Sequence, residues 1–311
     1  MSNLTVTTSP HIHSTKTTSK IMLDVIIALI PAVIASVYYF GVRSIALISF
    51  GVGFSILCEF LFNVLCKKDP TVGDLSAAVT GLILALNVPA TLPMWQLAVG
   101  CLFAVVVVKG LFGGIGQNFA NPAATARIMM LLSFSTSMGA SVFPNSSNSL
   151  IASATPLALI KQGVTHQVPG KLDLFLGNCG GTLGETCALA LIIGGVYLLA
   201  RGVITWHAPV SFIGTVFVFS FLVGRDPVTE ILCGGLMLGA IFMATDYSTT
   251  PITHKGRLVF GIGCGLITML IRVWGSYPEG VSFSILLMNI LTPYIDKLMP
   301  TKPLGGVKSE K

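Results

Sequence analysis

The chain has 311 residues, of which only 10% are charged and 53% are hydrophobic, so its surface is not that of an ordinary water-soluble enzyme. Eighteen Lys and Arg against 12 Asp and Glu leave a net charge of +6, but the basic residues are scattered between apolar runs and do not interleave with aromatics. A nucleic-acid surface is thereby excluded, and the rest of the surface is expected to face lipid or partner proteins.

Residues 1–20 are polar and Thr/Ser-rich, with an His11-Ile12-His13 segment suited to partner docking. The apolar run that follows is long enough to span and is not followed by a small-residue cleavage site, so it is expected to be a retained first helix rather than a signal peptide. Ten apolar runs recur along the chain, at about 21–40, 44–65, 74–88, 94–111, 122–138, 182–200, 206–223, 228–244, 257–274 and 282–298. The third and eighth are short, and each ends in a polar stretch closed by proline, Asn87 to Pro93 and Thr245 to Pro251. Such helices stop inside the membrane, where buried protein or a cavity satisfies the freed backbone groups. Thirty-three glycines and sixteen prolines suit tightly packed or interrupted membrane helices. The seven cysteines form no CxxC pair, and the five that sit inside apolar stretches read as small buried hydrophobes.

The two short runs match each other. Gly81 to Pro93 and Gly239 to Pro251 are of equal length; beyond them Gly100-Cys101 falls on Gly263-Cys264, and Lys109 on Arg272. Five runs per half is an odd number, which forces the halves into opposite orientations. The expected fold is therefore an all-α membrane protein of about ten helices in two inverted five-helix repeats, residues 21–138 and 182–298, with its site near the midplane between them. Residues 139–181 form the one long hydrophilic loop, and 299–311 a polar tail. Counting Lys and Arg by side gives 12 with the termini and 5 opposite, with Arg127 left over inside a run. The termini are accordingly expected in the cytoplasm and the long loop outside.

Within that loop, Thr155-Pro156 followed by Leu157 to Gly163 reads as the N-cap, first residue and C-terminal glycine of a short helix. A hydroxyl at a helix start is also a natural seat for a phosphate. Around residues 113–127, glycines make an interhelical connection, and Asn121-Pro122 is a second N-cap with Pro at the first helical position. Asn118, Asn121 and Arg127 are candidate polar contacts for a ligand, because an arginine one turn into an apolar helix must find a partner or a cavity. Glu59 is the one carboxylate flanked by long apolar runs; it is either the partner of a basic residue such as Arg127 or part of an ion pathway. Asp246, at the broken end of the eighth run, is a plausible cation ligand beside freed carbonyls, and Asp24 lies near the start of the first run. The five histidines show no metal-ligand spacing, and no metal site is expected. Hydride-transfer motifs and a dinucleotide fingerprint are absent from the sequence.

Residues 74–96, 109–127, 234–257 and 274–296, the segment around Thr155 and the Ser9-Pro10-His11-Ile12 start together resemble one family, over nearly the whole chain. It joins the D subunits of Rnf complexes with the B subunits of sodium-pumping NADH:quinone reductases; the short length and the His-Ile start favour its Rnf branch. The resemblance implies a subunit of an ion-translocating ferredoxin:NAD+ oxidoreductase in the bacterial inner membrane. In that setting, electron flow is coupled to Na+ or H+ export, and nicotinamide and iron-sulfur chemistry lie in partners, the A, B, C, E and G subunits. It also implies FMN held covalently by a phosphoester to Thr155, placed there by a flavin transferase, and a second, non-covalent flavin such as riboflavin near Asn118, Asn121 and Arg127. The family's attachment motif generally carries Asp six residues before the Thr and Ser or Thr three before it, where this chain has Ser149 and Ala152. The fold implied is similar to that of urea channels, which makes a stand-alone small-solute channel the rival function, and a purely structural anchor a third. The Thr155 loop separates them, since a channel has no need of it.

Overall fold

The computed structural model describes residues 17–68, 71–143, 151–153, 155–164 and 168–300. The His11/His13 segment, Ser149 and His166 lie outside them.

Two long helices open the chain, α1 (Thr18–Phe40) and α2 (Val42–Leu65). Thr17 caps α1 by accepting from Lys20 N, and Gly41, at φ 70°, makes the tight turn between the two. Large apolar residues on α1 such as Ile27, Ile30 and Ile34 are exposed, as lipid-facing positions are. A 3-10 turn (Val72–Asp74) leads into α3 (Ser76–Leu86), in which every residue is buried. A helix apolar and buried all round sits at the centre of a bundle. It crosses α2 so closely that a Cβ on Gly81 would lie 2.6 Å from Ser55 Oγ, which glycine there permits.

The chain continues as α4 (Met94–Leu102), which passes into a π-helical stretch, Phe103–Gly110. After the glycine-rich connection come α5 (Pro122–Ser133), capped by Asn121 Oδ1 on Ala124 N, and α6 (Ser135–Gly139). The long loop is not structureless. It holds a two-stranded antiparallel ladder, β1 (Ser141–Phe143) with β2 (Ile151–Ser153), and two short helices, α7 (Pro156–Lys161) and α8 (Lys171–Leu176). The ladder is a small departure from the all-helical expectation.

In the second half, α9 (Ala188–Ala200) and α10 (His207–Val223) precede a broken segment of α11 (Pro227–Leu232), α12 (Leu236–Leu238) and a π-helical stretch, Gly239–Met243. The helices α13 (His254–Trp274) and α14 (Val281–Leu298) complete the chain. By length and apolar composition α1, α2 and α13 can each cross a membrane, and the segments 76–86, 94–110, 188–200 and 207–223 are shorter apolar helices.

The sixth expected run begins as helix only at Ala188. Residues 180–187 are irregular because they close the open end of α3 instead, with Gly184 N donating to Leu86 O at 2.7 Å and Leu183 N to Val88 O at 3.1 Å. The eighth run is broken at its start as well as its end. Gly234, at φ 69°, turns the chain between α11 and α12. At the other end Asn121 Nδ2 donates to Met243 O at 3.2 Å and Thr250 Oγ1 to Ala244 O at 3.1 Å. Asn87 Nδ2 lies 3.7 Å from Met243 Sδ, so the two broken helices meet end to end at a buried polar waist.

Candidate functional site

Two of the cavities among the described residues hold the candidate residues, and these two share no lining residue. The larger, about 410 Å³, lies among the long loop, the lower part of α5, residues 179–186, the Cys233-Gly234 turn and the connection between α13 and α14. The smaller, about 100 Å³, is lined by the first turns of α1 and α3, Lys109, the glycine-rich connection and Thr245 to Ser248.

Thr155 lines the larger cavity at the start of α7. Its extended backbone (φ −62°, ψ 152°) places the hydroxyl to accept from Ala158 N at 3.2 Å, with Pro156 at the first helical position. Gln162 follows the last turn and Gly163, at φ 78°, ends the segment. From the end of the same helix Lys161 Nζ donates to Gly275 O at 2.5 Å and Tyr277 O at 2.8 Å, which fixes α7 to the α13–α14 connection.

Arg127 lies deeper in the same cavity, between two carboxylates. Its Nη2 meets Glu185 Oε1 and, at 2.6 Å, Glu279 Oε2, and its Nη1 donates to Ser282 Oγ at 3.4 Å. Glu279 Oε1 also accepts from Gly235 N. A Cβ on Gly235 would come within 2.7 Å of both carboxylates and 2.8 Å of Arg127 Nη1, so that position has room for glycine alone. Thr186 Oγ1, buried on the same wall, has no hydrogen-bond partner.

Behind the Gly234 turn lies a second ionic group. Arg272 Nη1 contacts Glu230 Oε2 at 3.0 Å and donates to Glu230 O at 2.6 Å, while its Nη2 donates to Cys233 O at 3.2 Å. Glu230 also pairs with Arg225 at 3.1 Å.

The expected ligand trio is divided by the structure. Arg127 belongs to the larger cavity with Thr155, whereas Asn118 and Asn121 line the smaller one with Asp246. Asn121 is committed to capping α5 and holding Met243 O, and Asn118 Oδ1 is buried without a partner. Asp246 Oδ2 accepts from the hydroxyls of Ser248 and Thr249 at 3.1 and 3.2 Å, organising the broken end. Asp24 pairs with Tyr197 and Arg201.

Glu59 is not the partner of Arg127, which corrects the sequence expectation. Its Oε1 lies 2.5 Å from Lys109 Nζ and accepts from Thr71 Oγ1 at 2.9 Å; Lys109 also reaches Ser76 Oγ. Lys109 lies in the last turn of a π-helical stretch, whose wider turn reorients the lysine inward, which helical spacing does not foretell. Glu185, Glu230 and Glu279 do not stand out in the sequence, because each is close to a glycine or proline and not flanked by long apolar runs. The available signal is scarcity: with 12 acidic residues in a nearly uncharged chain, each buried cation must claim one.

The profile of the NQR2, RnfD, RnfE family matches residues 5–305. The chain is 47% identical over 311 residues to the D subunit of the Na(+)-translocating ferredoxin:NAD(+) oxidoreductase complex of Acetobacterium woodii, covering 99% of this chain and 98% of that one. It is 38% identical to the D subunit of the proton-translocating ferredoxin:NAD(+) oxidoreductase complex of Clostridium ljungdahlii, over 96% and 95%. To the D subunit of the ion-translocating oxidoreductase complex of Aliivibrio salmonicida it is 35% identical, over 97% and 99%.

Proposed function

The chain belongs to the NQR2, RnfD, RnfE family, and from that premise we propose that it is the flavin-carrying membrane subunit of an ion-translocating ferredoxin:NAD+ oxidoreductase complex. It works with the A, B, C, E and G subunits in the bacterial inner membrane and passes electrons in a chain coupled to Na+ or H+ export. FMN is held as a phosphoester on Thr155, put there by a flavin transferase.

The observation that carries this reading is the Thr155 hydroxyl on the wall of a cavity of about 410 Å³. That volume is in the range of small-molecule and cofactor sites, about 300–1,000 Å³. The donor set suits a flavin: Thr186 Oγ1 is a buried polar atom awaiting a partner, and Arg127 and Ser282 offer donors beside apolar walls from Leu131, Leu157 and Phe283. Bound there, FMN supplies a ring system that accepts and releases single electrons. Thr155 fixes the phosphate end, and Lys161 holds α7, and so Thr155, in place against Gly275 and Tyr277. Leu131, Leu157 and Phe283 exclude water from the cavity wall, and Arg127 sets its charge. The second flavin fits less well. At about 100 Å³ the smaller cavity admits only an edge of riboflavin, and with Asn121 committed to Ala124 N and Met243 O the residue left for it is Asn118.

The wider architecture we infer is the pair of inverted five-helix repeats, with both termini cytoplasmic and the Thr155 loop outside. Its support is the matched pair Lys109 and Arg272. Each ends the fourth run of its half with its charge buried against the start of that half's broken helix, Lys109 on Ser76 and Arg272 on Cys233 O.

The test of the function is covalent loading. Denatured protein from the native complex should fluoresce as a flavin in a gel, and Thr155→Val should abolish the fluorescence while the subunit still assembles. A fluorescent band that survives in the Val variant sinks the assignment.

A further inference from the structure

Arg127 faces two carboxylates with one positive charge, in the cavity that Thr155 lines. If both acids were ionised, this buried group would carry one surplus negative charge, and a buried surplus charge is removed by taking up a proton or a cation. The charged groups around it do not supply the compensation: Lys161 gives its Nζ to Gly275 O and Tyr277 O at the exposed end of α7. Arg272, the next cation, spends its Nη1 on Glu230 and its Nη2 on Cys233 O. The positive charge left over in that neighbouring group sits on Arg225, whose side chain reaches solvent and is screened there. From its own segment Glu185 faces Cys179, a buried thiol, which offers no positive charge.

The two acids are not equivalent. Glu279 is the more exposed, at 22% of its side chain against 6% for Glu185, and it is held by the backbone N–H of Gly235 as well as by Arg127. Hydrogen bonds to a carboxylate favour its charged form, and burial beside a like charge disfavours it. Resting on the flavin reading above, we propose that Glu185 holds a proton in the resting protein and exchanges it with the flavin bound in this cavity. As one electron enters the ring system from a one-electron carrier in a partner subunit, the O–H bond of Glu185 breaks and an N–H bond forms on the ring. The negative charge that the electron brings then rests on the Glu185 carboxylate beside Arg127 and not on the ring. When the electron leaves, the N–H bond breaks and the proton returns to the carboxylate. The proton stays within the cavity as the electron passes, and Glu185 is its proton-positioning residue.

Infrared spectroscopy of the intact complex tests both parts. In the resting complex at neutral pH, a protonated-carboxyl stretching band is expected that shifts in Glu185→Asp and stays in place in Glu279→Asp; these variants keep the acid and so limit damage to folding. On electrochemical reduction that band should bleach, and in Glu185→Gln the bleach should be lost while flavin fluorescence of the denatured subunit stays at the wild-type level. A resting band that Glu185→Asp leaves unmoved overturns the placement of the proton. A band that moves in Glu185→Asp yet survives reduction of fluorescent protein overturns the exchange alone. A dark denatured subunit that keeps the Glu185 band overturns the flavin reading and the exchange with it, and leaves the resting proton standing.

Discussion

Oε1 of Glu59 lies 2.5 Å from the ammonium of Lys109, with both side chains about 5% exposed. A buried pair of this kind loses about 3–5 kcal/mol when one partner is removed, because the survivor is left charged and unpaired. Replacing both by neutral residues of similar size costs far less. Glu59→Gln and Lys109→Met are each expected to lower the unfolding midpoint of the subunit in detergent, and the double variant to recover much of the loss. Combining Glu59→Gln with Arg127→Gln should bring no recovery, because Arg127 answers to Glu185 and Glu279.

Asp246 offers a test of cation coupling. Asp246→Asn keeps an oxygen able to accept from Ser248 and Thr249, so the broken end of its helix should hold its shape while losing its charge. If that carboxylate binds the transported cation, the variant raises the cation concentration needed for half-maximal turnover of the whole complex, with covalent flavin content unchanged. Turnover with an unaltered cation dependence would place the ion path in neighbouring membrane subunits.

The close approach at Gly235 predicts an overpacking cost. Gly235→Ala puts a methyl against Glu185, Glu279 and Arg127 and should destabilise by about 1–3 kcal/mol. Gly214 in α10, around which nothing lies within 4 Å, is the matched control. There alanine is expected to stabilise by up to about 1 kcal/mol through helix propensity. Thermal unfolding of the two variants in the same detergent compares them directly.

The orientation can be read from two cysteines in one experiment. Cys66, exposed after α2, belongs to the cytoplasmic side of the proposed map, and Leu172, exposed on α8, to the outer side. In Leu172→Cys, an impermeant thiol reagent applied to intact cells should label position 172 and spare Cys66, and both should react once the membrane is opened. The reverse order of labelling inverts the map and moves the Thr155 loop inside.

Much of this architecture was legible because hydropathy and caps are local. The runs expected at 21–40, 44–65 and 206–223 became α1, α2 and α10 within a few residues, and Thr155-Pro156 and Asn121-Pro122 became the helix starts their chemistry announces. What stayed hidden was pairing at a distance. Arg127 and Glu279 lie 152 residues apart, and the glutamate sits in a connection whose place on the bundle no periodicity reports. Grouping Asn118, Asn121 and Arg127 by sequence proximity failed for a related reason. The helix α5 runs from one cavity to the other, so neighbours in sequence point into different spaces.

The closure of α3 by Gly184 and Leu183 also orders events during synthesis. When the first five apolar runs have left the ribosome, the carbonyls of Leu86 and Val88 are bare, and the residues that close them have yet to be translated. A nascent chain halted before Gly181 should therefore remain open at the end of α3 and be vulnerable to membrane quality-control proteases. One extended far enough for Thr186 to have left the ribosome carries the cap. Protease sensitivity of stalled chains should fall at that length, before α13 and α14 have been made.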